Sequence, residues 1–499
     1  MKNLFSLFLI FTPISIAFAQ VDMAKLDNYI QQSLEEWEVP GFAFAIVKDG
    51  EVVHLKGYGV RELGKSDPVN TQTIFNIGST TKAITAAAMG MLVDEGKVDW
   101  DDKVIEHLPN FQLYDPYATR ELRVRDLFTH NAGLGNADFL WYGNQKLSPE
   151  EILHRMRIVK PAYPFRGGYT YQNIMYLAAG KVIEAVSGMT WEDFVQKHIF
   201  EPLGMKNSYA SLELSQVEKN RSKPHHRDEN GKIVTIENIS ADPIAPAGAI
   251  WASIEDMSKW VQFMLDSAKV NGERLLKPET YAELIEPQIV IPQDQFYPTT
   301  QLTKPHWTTY ALGWFQHDYN GRFVTFHTGS LPGEIAIIGL IPDEQLGIYA
   351  LGNLDHAEVR HALMYKTFDV FAGIENGRDW STDLKNLYQK LGEREERATE
   401  EWKQKRVPDT EPTLALSNYV GNYAHPLYGK FEVKLENEQL RIASDMATVH
   451  LKHWHYNTFY GKWNDLVWLS DSYFNFVIDA EGKASMLQAG GVTYRRRSN

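Results

Sequence analysis

The chain contains no cysteine among its 499 residues. This absence excludes disulfide bonds, zinc sites built from thiolates and an anchor on a lipid-modified cysteine. Beyond the N-terminus, no apolar run is long enough to span a bilayer as a helix. Basic residues are also few, because 64 acidic side chains outnumber 50 lysines and arginines and give a formal net charge of −14. Nucleic-acid partners, which usually need a basic surface, are therefore not expected.

The first residues have the features of an export signal. Lys2 supplies a positive charge, residues 4–16 form a short apolar core, and an Ala-Phe-Ala sequence ending at Ala19 offers a cleavage site. We therefore predict a signal peptide over residues 1–19 and a mature protein that is exported, either periplasmic or secreted, without a stable membrane anchor. The apolar core is too short to span a bilayer comfortably, which disfavours an uncleaved anchor.

The distribution of predicted strands indicates an α+β fold. Apolar segments flank a turn at Gly50 near the N-terminus, and others flank the Asn320-Gly321 turn late in the chain. Residues 85–240 show mostly helix and loop patterns. We expect both ends of this region to form one antiparallel sheet, with a helical subdomain inserted between them.

The composition divides the chain into three further segments. Residues 20–375 should form the first domain, and residues 376–412 a charged helical linker exposed to solvent. Residues 413–499 contain short, aromatic-rich, alternating stretches separated by turn signals. This pattern predicts a small antiparallel β-barrel-like domain or a sandwich.

A Ser-x-x-Lys tetrad opens an alanine-rich helical stretch. Ser79 and Lys82 lie three residues apart, so they share one face of a helix and the Lys82 amine can reach the Ser79 hydroxyl. The apolar residues that follow can bury the amine, which lowers its pKa as a lysine base requires. The tetrad occurs once in the chain, and the alternative is an ordinary surface helix start.

Three Tyr-x-Asn tripeptides are candidates for a proton relay. Those beginning at Tyr142 and Tyr473 lie in a loop without periodic flanks and in the predicted barrel, respectively. Tyr171-Gln172-Asn173 precedes an amphipathic helical pattern, a position from which a tyrosine hydroxyl can point into a cleft. The alternative for Tyr171 is a packing role.

The sequence His327-Thr328-Gly329 ends a predicted strand and is the only His-x-Gly in the chain. Gly329 permits a close backbone approach, so the backbone N–H of Ser330 can face a substrate carbonyl. His327 would orient a carboxylate or assist proton transfer while titrating near physiological pH. The alternative is a histidine that caps the end of the strand.

Taken in this order, the three motifs resemble those of the serine β-lactamase and penicillin-binding-protein superfamily. Within that superfamily, the motifs resemble those of the branch that contains class C β-lactamases, esterases and D-amino-acid peptidases. The resemblance covers residues 25–370 and includes the VRDLFTHNAGL stretch around His130. It implies a β-lactamase/transpeptidase-like fold. The C-terminal segment is similar to a small β-domain often appended to such hydrolases, where it shapes the cleft or mediates assembly.

The resemblance implies a role for each motif residue. Ser79 would be the nucleophile and Lys82 its activating base, while Tyr171 would shuttle the proton to the leaving group. Asn173 would hydrogen-bond Lys82 and the substrate amide. The backbone N–H groups of Ser79 and Ser330 would form the oxyanion hole. Which of Lys82 and Tyr171 accepts the first proton stays open. The substrate-binding and oxyanion residues would be Asn173, Thr328, Gly329 and Ser330.

The third motif departs from the usual pattern of class C β-lactamases and carboxypeptidases. Those proteins usually carry Lys-Thr-Gly, whereas this chain has His327 in place of the lysine. A titratable group thus replaces a permanent cation that grips a substrate carboxylate, which disfavours efficient β-lactam hydrolysis. The His-x-Gly form resembles D-aminopeptidases and D-amino-acid peptidases. We expect an exported serine hydrolase that forms a Ser79 acyl-enzyme on amides or esters, chiefly short peptides containing D-amino acids.

Two alternative functions follow from the same residues. One is a β-lactamase or small-ester esterase, and the other is a non-catalytic protein that binds or senses cell-wall peptides. No cofactor and no metal are predicted, since His450, His453 and His455 do not all share one face of a strand. The expected partner is a small-molecule or peptide substrate, bound between walls formed by the loops 135–147 and 287–306, and the oligomeric state stays open.

Overall fold

The structure is a computed structural model that describes residues 21–142, 147–445, 447–463 and 471–497. The predicted signal peptide, residues 1–19, lies outside these ranges. Within them, every helix is too short or too polar to cross a membrane.

All of the described α-helices lie before residue 404. In chain order the α-helices are α1 (Met23–Glu36), α2 (Thr81–Asp94), α3 (Val104–His107), α4 (Pro116–Glu121), α5 (Phe139–Tyr142), α6 (Pro149–Met156), α7 (Ile174–Ser187), α8 (Trp191–Val195), α9 (Glu201–Leu203), α10 (Leu212–Ser215), α11 (Ala245–Gly248), α12 (Ile254–Leu265), α13 (Pro278–Ile285), α14 (Thr300–Thr303), α15 (Val359–Phe371) and α16 (Trp380–Lys403).

Strands occur at both ends of that region and dominate the C-terminal part. They are β1 (Gly41–Lys48), β2 (Glu51–Gly59), β3 (Ile74–Asn76), β4 (Ser208–Tyr209), β5 (His225–Arg227), β6 (Ile233–Thr235), β7 (Trp251–Ser253), β8 (Lys269–Val270), β9 (Glu273–Arg274), β10 (Ile289–Val290), β11 (Thr308–Tyr310), β12 (Phe315–Tyr319), β13 (Arg322–Leu331), β14 (Glu334–Ile341), β15 (Leu346–Gly352), β16 (Gly421–His425), β17 (Gly429–Glu436), β18 (Gln439–Ala443), β19 (Thr448–His450), β20 (Lys452–His455), β21 (Thr458–Lys462), β22 (Asp471–Ile478), β23 (Ala484–Ala489) and β24 (Val492–Arg496).

The main sheet has eight antiparallel strands in the order β10-β11-β12-β13-β14-β15-β1-β2. Strand β1 pairs with β15, with Phe42 opposite Gly352, so the two ends of the region close one sheet. The predicted turns are present, because Lys48 pairs with Glu51 and Tyr319 with Arg322. The α+β prediction, with helices inserted between the early and late strands, is confirmed.

The main sheet separates two hydrophobic layers. Alternate residues of β1 point to opposite faces, so Phe42 and Phe44 pack in one layer and Ala43 and Ala45 in the other. Helices α1 and α15 cover the first face, whereas α2, α7 and α12 pack against the second. The N-terminus of α2 is therefore held close to the sheet, and this is where Ser79 lies.

Helix α16 occupies much of the segment that was predicted as a solvent-exposed linker. Residues 393–402 are indeed exposed. Its first turns are different, because Trp380 and Leu384 are buried and the Trp380 ring stacks on Tyr365 with centroids 4.7 Å apart. The expectation of a solvated helix is wrong for this part, since apolar residues at helical spacing complete the core. The boundaries of the domains remain predictions.

The C-terminal sheet has nine antiparallel strands in the order β19-β18-β17-β16-β24-β23-β22-β21-β20. A backbone bridge between Val449 and Trp463 brings the ends of this order together, so the sheet is a nearly closed barrel, as predicted. The turn between β16 and β17 reaches the first domain. There Leu427 is buried in the core cluster of that domain, and the Tyr428 ring lies 5.5 Å from the Phe139 ring of α5.

Candidate active site

Ser79 lies in a short 3-10 turn, Gly78–Thr80, immediately before α2. The edge of β13 approaches this turn very closely. A Cβ atom on Gly329 would overlap the Ile77 carbonyl oxygen, and one on Gly78, whose φ is +52°, would lie 2.5 Å from the Ser330 amide nitrogen. Glycine is therefore required at both positions, and the approach brings the Ser330 backbone beside Ser79.

The Lys82 amine is buried and in contact with three oxygen atoms. Its Nζ lies 3.0 Å from Ser79 Oγ, 2.7 Å from Asn173 Oδ1 and 2.9 Å from the Ala247 carbonyl oxygen. Burial lowers the pKa of Lys82 to about 7, although the nearby Asp138 carboxylate opposes this shift. In its neutral form the amine has a lone pair and can accept the hydroxyl proton of Ser79.

The Tyr171 side chain is enclosed beside the same amine. Burial raises the pKa of the Tyr171 phenol well above its ordinary value, and a hydrogen bond with Ser79 only partly offsets this. The ring lies 4.8 Å from Lys82 Nζ. At neutral pH the phenol is therefore protonated and can act as a proton donor, whereas Lys82 is the group with a pKa suited to accepting a proton.

The Asn173 side chain bridges the lysine to a carboxylate. Its Oδ1 accepts from Lys82, and its Nδ2 donates to Asp138 Oδ2 at 2.9 Å. The Trp141 indole donates to Asp138 Oδ1 at 3.1 Å. The side chain of Asn173 is thereby fixed in one orientation between the Lys82 amine, which donates to it, and the Asp138 carboxylate, which accepts from it.

His327 is fully engaged inside the sheet. Its Nδ1–H donates to the Thr328 carbonyl oxygen at 2.6 Å, so its Nε2 accepts from the Tyr310 hydroxyl at 2.9 Å. Burial, aided by the Lys82 charge, lowers the pKa of His327 to about 3. The expectation that His327 titrates near physiological pH is therefore wrong, and the imidazole offers no positive charge to a substrate carboxylate.

The residues that follow His327 are held from both sides of the strand. The Thr328 hydroxyl lies 2.5 Å from the Tyr297 hydroxyl. Behind the strand, Arg360 donates to the Gly329 carbonyl oxygen at 2.6 Å and to Ser330 Oγ at 2.8 Å. Arg360 itself is buried and paired with Glu358 at 2.9 Å, so its charge is neutralised locally.

These side chains converge on a cleft of about 570 Å³. Both loops that were predicted as its walls contribute, through Asp138 and Trp141 on one side and Tyr297 on the other. The cleft is lined by Ser79, Asp138, Trp141, Tyr142, Tyr169, Tyr171, Asn173, Gln295, Phe296, Tyr297, Pro298, Phe315, Thr328, Ser330, Leu331, Pro332, Asp355 and His356.

The structure distinguishes between the three Tyr-x-Asn tripeptides. Tyr171 and Asn173 lie beside Ser79, whereas Tyr473 lies in strand β22 of the barrel. Tyr142 lines the cleft, but the rest of its tripeptide is outside the described residues.

Sequence reasoning did not identify several other groups around the site. Asp138, Tyr310 and Arg360 come from loops or elements far apart in the chain, and only the fold brings them together. His130 belonged to a stretch that supported the family resemblance, yet no role followed from its sequence context.

Comparison with known proteins agrees with this geometry. The profile of the family described as Beta-lactamase matches residues 26–368, more than two thirds of the chain. The chain belongs to the beta-lactamase family. A second profile, described as a domain of unknown function (DUF3471), matches residues 405–493.

One relative of this beta-lactamase family member carries a hydrolase name, and another is named only as a protein. It is 28% identical to the unguisins hydrolase ungD of Aspergillus violaceofuscus over 439 residues, covering 82% of this chain and 76% of that protein. It is 25% identical to the protein flp of Staphylococcus aureus, covering 66% of this chain and 63% of that protein. Together with the family match, the hydrolase-named relative identifies the protein as a serine hydrolase.

Solved structures share the fold. The octameric penicillin-binding protein homologue from Pyrococcus abyssi aligns with a TM-score of 0.61 at 23% identity, covering 95% of this chain and 99% of that one. A D-stereospecific amidohydrolase from Streptomyces sp. aligns with a TM-score of 0.56 at 20% identity, covering 68% of this chain and 98% of that one.

Proposed function

We propose that the protein is an exported serine hydrolase that acts through a Ser79 acyl-enzyme on amide substrates, chiefly short peptides containing D-amino acids. The observation that carries this proposal is the 3.0 Å contact between Lys82 Nζ and Ser79 Oγ at the cleft, with the pKa of Lys82 lowered to about 7. A lysine with that pKa is partly neutral at physiological pH and is able to deprotonate the serine.

Acylation uses the groups in sequence. Neutral Lys82 takes the proton of the Ser79 hydroxyl while Oγ forms a bond to the substrate carbonyl carbon. The oxygen of that carbonyl becomes an oxyanion, which accepts hydrogen bonds from the backbone N–H groups of Ser79 and Ser330. Tyr171 then gives its phenolic proton to the leaving nitrogen as the C–N bond breaks, and the proton held by Lys82 restores the phenol.

Deacylation repeats these transfers with water as the nucleophile. Neutral Lys82 accepts one water proton, the water oxygen bonds to the acyl carbon, and the ester bond to Ser79 breaks. The proton returns to Ser79 Oγ, which regenerates the enzyme and releases a carboxylic acid. Lys82 is thus the first base in this scheme, because the raised pKa of Tyr171 keeps its phenol protonated.

The remaining predicted site residues have binding and positioning roles. Asn173 orients Lys82 and has a second amide proton for the substrate, and Thr328 presents its hydroxyl to the cleft. Gly329 permits the approach that forms the oxyanion hole. His327 acts indirectly, by holding the Thr328 carbonyl, rather than as a cation or a proton carrier.

The proposed substrate class and the proposed export of the protein are supported by different observations. The Aspergillus relatives are named as hydrolases of unguisins and the Streptomyces structure as a D-stereospecific amidohydrolase, and these names support amide hydrolysis with a preference for D configuration. Export depends on the predicted signal peptide over residues 1–19. The domain organisation of 20–375, 376–412 and 413–499 is part of the same proposal, and the profile match at 405–493 supports a distinct C-terminal unit.

The test is steady-state hydrolysis of a panel of D- and L-aminoacyl p-nitroanilides, small esters and a penicillin. We expect Ser79→Ala to lower every activity by at least about 10⁴-fold while leaving the melting temperature unchanged. Ser187→Ala, at the distant end of α7, is the matched control and should retain activity. Turnover by Ser79→Ala equal to that of the wild type would overturn the proposal. If the wild type hydrolysed only penicillin or only esters, that compound class would replace short D-amino-acid peptides as the proposed substrate.

A further inference from the structure

Glu334 is a buried carboxyl group that the proposed chemistry does not use. It lies at the first position of β14, opposite Leu331 of β13, and it is 2% exposed. Burial raises the pKa of Glu334 to about 8, although hydrogen bonds with Ser222 and Asn76 oppose this shift, so the carboxyl is protonated at neutral pH. A carboxyl group is costly at a buried position unless hydrogen bonds compensate for its removal from water.

The two oxygens of Glu334 contact two different segments. Oε2 accepts a hydrogen bond from the Asn76 backbone N–H at 3.1 Å, and Oε1 is hydrogen-bonded to the Ser222 hydroxyl. Asn76 is the last residue of β3, and one edge of that strand is bonded to the backbone of residues 220–222 through Ile74. Beyond Ile74, the Glu334 carboxyl supplies the acceptor that the Asn76 N–H needs in this buried position.

Asn76 in turn fixes the residues just before Ser79. Its Oδ1 accepts from the Gly78 N–H at 2.7 Å, and its Nδ2 donates to the carbonyl oxygens of Gly248 and Ile250, each at 3.3 Å. Because glycine has more conformational freedom than any other residue, the backbone of Gly78 depends on such contacts. The orientation of the following Ser79 N–H therefore depends on the position of Asn76.

Glu334 also belongs to the hairpin that carries Ser330. It pairs with Leu331, the residue after Ser330, in the register of β13 and β14. One side chain thus joins this hairpin to the turn that carries Ser79. In the proposed mechanism, the backbone N–H groups of Ser79 and Ser330 both donate to one oxyanion, so their separation must match that oxygen. A group that fixes this separation affects the transition state more than the binding of substrate.

We propose that Glu334 is a positioning residue that sets the distance between the backbone N–H groups of Ser79 and Ser330. This inference rests on the proposed acyl-enzyme chemistry at Ser79. Both hydrogen bonds of Glu334 are independent of its charge, because the Ser222 hydroxyl can either donate or accept. Glutamine has one oxygen acceptor and one N–H donor and can keep both bonds, whereas leucine keeps neither.

The test compares kcat and KM of Glu334→Leu and Glu334→Gln on the best amide or ester substrate of the wild type. We expect Glu334→Leu to lose about 10- to 100-fold in kcat with less than about 3-fold change in KM. Glu334→Gln should stay within about 3-fold of the wild type in both constants. Ser222→Ala is the matched control, because it removes the partner of Oε1 but leaves the Asn76 contact, and its kcat should stay within about 3-fold.

The outcomes separate this inference from the proposed function. An unchanged kcat in Glu334→Leu, or an equal loss of kcat in Glu334→Gln or in Ser222→Ala at equal melting temperature, would overturn the role of Glu334 while leaving the Ser79 chemistry intact. Should Glu334→Leu not fold, Asn76→Ala provides the test, because it removes the acceptor of the Gly78 N–H. That variant should lower kcat by about 10-fold with little change in KM, and an unchanged kcat would overturn the inference. Absence of any Ser79-dependent hydrolysis by the wild type would instead refute the proposed function.

A second inference concerns His130, which holds Tyr171 from three directions. Its carbonyl oxygen accepts from the Thr170 N–H at 3.0 Å, and its Nδ1 accepts from the Gln172 N–H at 3.0 Å. Its ring lies 4.3 Å from the Tyr171 ring, between centroids. One residue thus fixes the backbone on both sides of Tyr171 and supports its side chain.

This arrangement carries two local costs. His130 adopts a left-handed backbone with φ of +61°, which is unfavourable for a residue other than glycine. Since Nδ1 is an acceptor, the proton of the neutral ring is on Nε2, and that atom is buried without a hydrogen-bond partner among the described residues. Such costs are usually retained where a geometry serves a function.

We infer that His130 is a positioning residue that sets the orientation of the Tyr171 phenol, an inference that also rests on the proposed chemistry at Ser79. Asparagine and glutamine distinguish the two ring nitrogens, because an asparagine oxygen can replace Nδ1 and a glutamine group can replace Nε2. Asparagine also tolerates the left-handed backbone. We expect His130→Asn to keep kcat within about 10-fold and His130→Gln to lose about 10²-fold in kcat with a smaller change in KM.

The melting temperature of each variant separates folding from positioning. Equal kcat losses in both variants at equal melting temperature, or no loss in either, would contradict the inference. Should neither variant fold, Tyr163→Phe provides the test, because the Tyr163 hydroxyl donates to the His130 carbonyl at 3.0 Å. That variant should lower kcat by about 3- to 10-fold without changing KM, and an unchanged kcat would overturn the inference.

Discussion

The cleft and the barrel each contain a cavity of similar volume, about 570 Å³ and about 550 Å³, but their linings differ. Half of the described residues that line the barrel cavity are aromatic, and the one carboxylate among them, Asp471, lies 3.5 Å from Lys403. In the cleft, a nucleophile, a phenol and an amide converge on the buried Lys82 amine. Volume therefore does not identify the reactive site, whereas a buried lysine with a lowered pKa beside a serine does.

Helix α5 is the wall between these two cavities. Phe139 lines the barrel cavity and contacts Tyr428, while Asp138 and Trp141 line the cleft. The barrel thus contacts the segment that carries the cleft carboxylate. The comparison predicts that substitutions at the Lys82 centre lower kcat/KM strongly. Substitutions on the barrel side should instead raise KM by a small factor.

The largest effect in this comparison is expected for Lys82→Ala. Loss of the base should lower kcat/KM by about 10²–10⁴-fold, because the Ser79 hydroxyl then loses the amine that lies 3.0 Å from it and has a pKa of about 7. Lys181→Ala is the matched control, since Lys181 lies on α7 and pairs with Glu150 and Glu184 away from the cleft. Similar kcat/KM values for both variants would show that the buried Lys82 amine is not the base that makes the cleft reactive.

The pH dependence of kcat/KM tests the charge state of the same amine. Burial lowers the pKa of Lys82 to about 7, so the fraction of neutral base increases as the pH rises through 7. With a substrate that does not titrate between pH 5.5 and 9, we expect kcat/KM to rise tenfold per unit below pH 7 and to level off above it. A rate that falls as the pH rises from 6 to 8 contradicts a lysine base.

A smaller effect is expected where the barrel meets the cleft wall. Tyr428→Ala removes the ring that contacts Phe139 and should raise KM by about 2- to 5-fold with little change in kcat, since α5 loses support but the Lys82 centre does not. Tyr456→Ala, at an exposed barrel position, is the control. A large fall in kcat for Tyr428→Ala would show that the barrel takes part in the chemistry itself.

The sequence predicts the parts of the site that depend on local geometry. Ser79 and Lys82 are related by helical spacing, and Asn173 follows Tyr171 directly before a helix, so their association is visible in the chain. The two-ended antiparallel sheet is predictable because strand patterns and turn residues mark both of its halves.

Features of the site that depend on tertiary contacts could not be predicted from the sequence. The charge state of His327 is set by burial and by the nearby Lys82, and the sequence pattern shows neither the burial nor the proximity. Asp138 lies in a loop whose position is fixed by Phe139 and the barrel. The prediction of a solvated linker is wrong for the first turn of α16, because the helix is rich in charged residues while Trp380 and Leu384, which recur at helical spacing, are buried.

The central claim, a covalent acyl-enzyme on Ser79, is tested most directly by acid-quench intact-mass spectrometry of the full chain with its best amide or ester substrate, followed by peptide mapping. The claim predicts an added acyl mass that appears within one turnover, maps to the peptide containing Ser79, and is absent in Ser79→Ala. An acyl mass on another residue, or continued turnover by Ser79→Ala, would contradict it.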